Sequence, residues 1–215
     1  MYTKGEYKML EGEIKYGKAS HSIEELEGFT VNEKKELLRV DLTYSKKKKE
    51  GFIECKHNLM EFPWPFEDGS VYEFNCEHYI ERIPIQLLDG TYGLTRFMEE
   101  VYRCLMDKGT IRICGSHYMS QEAYQDPRYV RGISDRTLAY YNQKSILDES
   151  EKYALKCNFE EISKIKIVDP SVEGKADLAK RFMIEHYWNI VREVQYVLRK
   201  IPLMVKGEED EKTTI

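Results

Sequence analysis

His78 and Glu81 stand three positions apart, one turn of a helix, and form the pair in this chain best suited to proton chemistry. An imidazole exchanges a proton near neutral pH, and a carboxylate one turn away can orient it. The same spacing also suits a histidine that opens a helix and a glutamate that packs beside it. Ser116 and His117 follow a short apolar run and place a hydroxyl beside an imidazole. No acid at a useful spacing completes a Ser-His-Asp triad, so nucleophilic hydrolysis is not expected. His57 is a further imidazole, but no third ligand joins it to His78, and no metal site is expected. Arg128 and Arg131 suit a carboxylate or phosphate, and equally suit surface ion pairs. Trp64 and Phe66 offer flat rings that stack on a base or plug a gap between loop and sheet, and the plug is the favoured reading.

These residues need a framework, and the bulk properties allow one. A chain of 215 residues can bury one substantial core. Its net charge of −5 argues against a generally basic nucleic-acid surface, so nucleic acid is not an expected partner. No apolar run approaches the roughly 20 residues of a membrane-spanning helix. Residues 1–17 are polar and lysine-rich, without the apolar stretch of a secretory signal. The five cysteines are odd in number and scattered, which fits free, mostly buried thiols in a reducing, cytoplasmic setting.

Three regions are expected: an N-terminal arm or packing extension (1–35), one α/β domain (36–205) and an acidic, disordered tail (206–215). Ser22-Ile23-Glu24-Glu25 reads as a capping box in the arm. Residues 37–42 read as a strand, and residues 46–49 as a solvated lysine loop. Residues 52–55 and 71–76 read as further strands, the latter entered through a proline-rich turn. Leu94, Phe97, Met98, Val101 and Leu105 recur at helical spacing, with Gly109 as the left-handed stop. Residues 110–114 then form a strand, so a right-handed crossover in a parallel sheet is expected. Residues 135–141 suggest a short helix capped by Ser134. Residues 152–159 and 162–168 suggest an antiparallel pair at one sheet edge. Tyr187, Ile190, Val191, Val194, Leu198 and Ile201 predict a long helix over 175–201.

Several stretches in this order resemble class I S-adenosylmethionine (SAM) methyltransferases. They are His57-Asn58-Leu59 leading into Phe62-Pro63-Trp64-Pro65-Phe66 and Asp68-Gly69-Ser70-Val71, and His78-x-x-Glu81. They continue with Glu100-Val101-Tyr102-Arg103-Cys104-Leu105 and Asp126-Pro127-Arg128-Tyr129-Val130-Arg131, and Trp188-Asn189-Ile190-Val191-Arg192-Glu193 is similar to that group's last helix. The resemblance implies a Rossmann-like fold: a seven-stranded, mostly parallel sheet with helices on both faces, an antiparallel edge, and SAM across the carboxyl ends of the strands.

The chain departs from that pattern where the cofactor would bind. The glycine-rich loop after the first strand is replaced by Asp41-Leu42-Thr43-Tyr44-Ser45. Glycine there lets the backbone approach the ligand and adopt positive φ, and β-branched Thr43 is a poor substitute. About ten residues are missing after the second strand compared with the usual layout, and Glu54 could serve as the ribose-binding acid. Asn58 replaces the acid that meets the adenine amino group, and Arg82 and Tyr129 stand where histidines are common. The resemblance therefore implies a retained fold with a lost or altered site, in a noncatalytic protein that works through a protein partner or homo-oligomer. The alternative is an active methyltransferase with a rebuilt loop. In that case Asp41, Thr43, Ser45, Glu54, Asn58 and Trp64 would contact SAM. His78 and Glu81 would serve catalysis, and Ser116, Arg128, Tyr129 and Arg131 would shape the acceptor site. A binding module for another nucleotide-like ligand is a third reading. A virus-encoded or virion-associated setting is compatible with a short, eroded copy.

Overall fold

The computed structural model describes residues 37–43 and 50–206. The N-terminal arm with its capping box, the lysine run with Tyr44 and Ser45, and the tail beyond 206 lie outside the described residues.

The first strands are β1 (Arg39–Asp41), β2 (Ile53–Glu54) and β3 (Val71–Glu77), of which β3 is the long, apolar- and aromatic-rich one. Every residue of β3 except Glu77 is buried, as expected of a strand covered on both faces. Helix α1 (Gly93–Cys104) follows, with Phe97, Met98, Val101 and Cys104 on its buried face. Strand β4 (Leu105–Ser116) then runs parallel to β3. The expected strand–helix–strand crossover is present.

The sheet order is β2-β1-β3-β4, followed by β6 (Val191–Lys200) and β5 (Phe159–Val168). The first four strands are mutually parallel, and β6 is antiparallel to both of its neighbours. The last strand in sequence among the described residues is thus inserted one place in from the edge, and β5 runs in the direction of β4. This is a Rossmann-like α/β sheet with an antiparallel pair at one side. Six strands form it among the described residues, rather than the seven that the resemblance implied. Successive connections leave β1 in one direction and β3 in the other. The strand order therefore reverses between β1 and β3, which makes a switch-point crevice at their carboxyl ends.

A polar ladder crosses the sheet. Glu73 of β3, 4% exposed, accepts from Arg39 of β1 on one oxygen and from Arg112 of β4 on the other. The Arg39 guanidinium also lies 4.4 Å from the centre of the Phe52 ring, a cation–π contact that ties β2 to the ladder.

The structure corrects four expectations. Gly109 is not the left-handed stop. α1 ends at Cys104, and the positive φ (61°) belongs to Lys108. Gly109 is needed because a Cβ there would lie 2.9 Å from the Met106 carbonyl and 3.0 Å from that of Tyr72. Residues 135–138 are a turn, and only Ala139–Tyr141 form a short 3-10 helix. Residues 152–159 and 162–168 are not two paired strands. Helix α2 (Glu149–Ala154), capped by the Asp148 carboxylate, precedes β5, which is one strand with a bulge beside Ile162.

The fourth correction is the largest. The long helix over 175–201 is helix α3 (Asp177–His186), a turn, and strand β6, so residues 188–193 are not a last helix. Asn189 makes the reversal at φ 65°, in the left-handed region asparagine tolerates. Opposite β5, Arg192 is the extra residue of a bulge in β6, so Val191 and Val194 are both buried although three positions apart. Tyr196 and Leu198 then follow at the two-residue period of a strand. A bulge followed by alternation imitates the helical stripe.

Candidate functional site

The crevice between β1 and β3 is where an open α/β sheet binds a ligand, and here its two strands are laced together. Asp41 at the end of β1 is nearly buried. Its Oδ1 accepts from Nδ2 of Asn75 on β3 at 2.9 Å and from the Thr43 amide at 3.0 Å. The Thr43 hydroxyl accepts from the Glu77 amide at 3.0 Å and from Asn75 Nδ2 at 3.2 Å. Thr43 is thus bonded across the crevice to the exit of β3. Ser45 lies outside the described residues.

The other cofactor-side residues are spread apart. Glu54 is exposed at the end of β2, in register with Asp41. Asn58 is exposed and engaged in its own turn, where its Oδ1 accepts from the Met60 amide and its Nδ2 donates to Glu61. Trp64 is 2% exposed and belongs to the core. Its ring meets Phe74 and Phe97 edge-on at 5.8 and 5.3 Å, and its Nε1 donates to the Leu59 carbonyl. Trp64 is a plug, held from α1: Glu100 accepts from its amide, and Arg103 donates to its carbonyl and to that of Phe66. The Glu100-x-x-Arg103 pair therefore fastens the proline-rich turn to the helix.

His78 and Glu81 are brought together. His78 leaves β3 with a φ of 52°, a left-handed conformation uncommon outside glycine. Its amide donates to the Cys114 carbonyl at 2.8 Å. Glu81 sits in a 3-10 helix (Ile80–Arg82) and is fully buried. Its Oε1 lies 3.2 Å from His78 Nδ1 and accepts from the Ser116 amide at 2.8 Å. Glycine at 115 permits that approach, because a Cβ there would lie 3.0 Å from Glu81 Oε1 and 2.0 Å from Ile133.

Two residues that sequence reasoning missed complete the cluster. Cys114, at the end of β4, donates its thiol to Glu193 Oε2 at 3.2 Å, and Glu193 Oε1 lies 3.5 Å from His78 Nε2. The donor atoms of His78, Cys114 and Glu193 all lie within 4.8 Å of one another. Contacts with Cys114, Glu193 and Glu81 raise the His78 imidazole well above its usual range, against the opposing effect of burial. Burial pushes the Cys114 thiol up to about 11, and His78 only partly offsets it, so this is no activated thiolate. Glu193 falls in the segment expected to be helical, and only the pairing of β6 with β4 sets it opposite Ser116.

The residues expected to shape an acceptor site are engaged with neighbouring residues of the fold. Ser116 is buried, with its amide on Glu81. Arg128 is exposed and pairs with Asp126, which also accepts from Arg82. The Tyr129 ring lies 5.5 Å from the Arg82 guanidinium. Arg131 donates to the carbonyls of Ile80 and Pro84, closing the chain around the 3-10 helix. This segment forms a wall behind Glu81. His117 has an acidic neighbour of its own: its Nε2 lies 3.7 Å from Asp135, which also pairs with Lys166.

The chain is similar to solved methyltransferase structures at low identity. One is a SAM-dependent methyltransferase from Archaeoglobus fulgidus, at 13% identity over 69% of this chain and 68% of that one, with a TM-score of 0.42. Another, from Methanosarcina mazei, has 11% identity over 70% and 66%, with a TM-score of 0.39. A third is geranyl diphosphate C-methyltransferase from Streptomyces coelicolor A3(2), in complex with Mg2+, geranyl diphosphate and S-adenosyl-L-homocysteine. There the identity is 12% over 70% of this chain and 54% of that one, with a TM-score of 0.37. No protein-family model and no curated protein matches the chain.

Proposed function

We propose that this Rossmann-like protein does not transfer methyl groups from SAM and works through protein contacts, as a subunit, scaffold or regulator. The observation that carries the reading is the Thr43 hydroxyl bonded to the Glu77 amide and to Asn75. A cofactor entering between β1 and β3 would have to break those bonds and leave the Glu77 amide without its partner. Asn58 is committed to its own turn and Trp64 to the core, so neither is poised for adenine.

A contact surface is available elsewhere. Phe182, Tyr187 and Trp188 are each about half exposed around the end of α3, and Tyr124 stacks on Trp188 at 5.8 Å. Exposed aromatic clusters of this kind are enriched at protein interfaces. The free cysteines fit a reducing compartment. No helix among the described residues is long and apolar enough to cross a membrane.

The test is calorimetric titration of the full chain with SAM and with S-adenosylhomocysteine, alongside a thermal-shift scan. A ligand at 100 times its Kd would stabilise the fold by about 2.7 kcal/mol. The expected result is no heat and no shift at millimolar ligand. Saturable micromolar binding would overturn the reading and restore the active-methyltransferase alternative, with His78 and Glu81 beside the acceptor.

A further inference from the structure

We propose that His78, Cys114 and Glu193 form a binding site for a single thiophilic divalent cation of the zinc class, with Glu81 as the positioning residue that orients His78. The three donors are an imidazole nitrogen, a thiolate sulfur and a carboxylate oxygen, the set that zinc takes in proteins. They come from three neighbouring strands: Glu193 from β6, Cys114 from β4 and His78 from the residue after β3. Backbone hydrogen bonds fix those strands, so the donors converge without help from a loop.

The distances fit. Bonds of about 2.0–2.3 Å to a tetrahedral ion place its ligand atoms roughly 3.3–3.8 Å apart. Cys114 Sγ and Glu193 Oε2 are 3.2 Å apart, His78 Nε2 and Glu193 Oε1 3.5 Å, and all three donors fall within 4.8 Å. The two short distances run to different Glu193 oxygens, so seating the ion requires the side chains to turn until one carboxylate oxygen meets both other donors.

The second observation lies behind the imidazole. Glu81 is fully buried and faces His78 Nδ1 at 3.2 Å. A carboxylate accepting from one ring nitrogen holds the other as a lone pair toward a metal, the usual partner of a metal-binding histidine. Glu81 Oε1 is held in turn by the Ser116 amide, which fixes the carboxylate against the ring, while its Oε2 is buried with no hydrogen-bond partner. Three protein donors leave one coordination position for water or a ligand, and His78 and Cys114 are partly exposed, so an ion can enter. Coordination would displace two protons, that of the Cys114 thiol and that on His78 Nε2, and replace the present Cys114–Glu193 and His78–Glu193 contacts with bonds to the metal.

The experiment uses the full chain, stripped with chelator and titrated with Co2+ and then Zn2+. The expected result is one equivalent bound, with a near-ultraviolet thiolate-to-cobalt absorption that Zn2+ abolishes. Cys114→Ser should remove that absorption. Glu193→Gln should weaken binding, and Glu81→Gln should weaken it about 10- to 100-fold without changing the stoichiometry. Because a variant can misfold, alkylation of the unaltered protein gives a second readout. Metal should protect Cys114, mapped by peptide mass, and leave Cys55 reactive. No saturable binding at micromolar metal, a cobalt spectrum unchanged in Cys114→Ser, or unprotected Cys114 would each overturn the proposal. SAM binding does not enter any of these readouts, so this site and the proposed loss of methyl transfer stand or fall separately.

Discussion

The Ser116 amide donates to the buried carboxylate of Glu81 at 2.8 Å, and so anchors the end of β4 to the short helix that follows β3. The oxygen that receives this bond also faces His78, which makes the strand-end cluster depend on a backbone contact it does not display at the surface.

Gly115 keeps that contact possible. Gly115→Ala should push Glu81 and Ile133 aside and destabilise the fold by about 1–3 kcal/mol, the usual cost of overpacking a core. Urea unfolding monitored by circular dichroism would measure it. A midpoint equal to that of the unaltered protein would mean that Ile133 gives way freely.

Glu73 joins three strands through its two arginine partners. Glu73→Gln keeps the shape but leaves two cations facing an amide, and should cost about 2–3 kcal/mol, less than a fully buried pair because both arginines are partly exposed. A double-mutant cycle with Arg112→Met should show coupling. Simple additivity would mean the two residues do not interact energetically.

The lacing at Thr43 separates hydroxyl from shape. Thr43→Val leaves the Glu77 amide without its acceptor and should cost about 1 kcal/mol, whereas Thr43→Ser should be nearly neutral. Thermal unfolding of the two variants side by side checks this, and equal losses would remove the hydroxyl from the account.

Acid should release a different contact. His117 first, and then Lys166, holds the Asp135 carboxyl at about 2, below its ordinary 3.8. A lowered folded-state value means that the unfolded chain binds the proton more readily. The contribution is therefore complete above the ordinary value and is lost as pH falls from about 4 toward about 2. Asp135→Asn should flatten the loss of stability across that window. An unchanged slope in denaturant unfolding at stepped pH would contradict it.

How much of this was legible in the sequence depends on which physical signal carried each element. The first half of the sheet was legible because Phe97, Met98 and Val101 repeat at helical spacing between two apolar runs, and local pattern and tertiary burial agree there. The second half was not. The bulge at Arg192 converts a two-residue alternation into a three-residue step at its start, and period alone cannot tell that from a helix. In the candidate site, His78 and Glu81 were visible because they are neighbours in sequence. Cys114 and Glu193 are 79 positions apart and meet only through strand pairing, which no local pattern encodes. The Glu100-x-x-Arg103 pair was visible as a motif, but its task of holding Trp64 required the fold.

The placement of β6 sets an order of assembly. Until β6 is made, β5 has no neighbour in the sheet and β4 presents an open edge. Closing that gap joins residues far apart in the chain, a slow step with a high entropic cost of loop closure. The same event delivers Glu193 to His78 and Cys114. During synthesis, the strand-end cluster would thus remain incomplete until β6 docks, and its completion would report that β4 had gained its antiparallel neighbour.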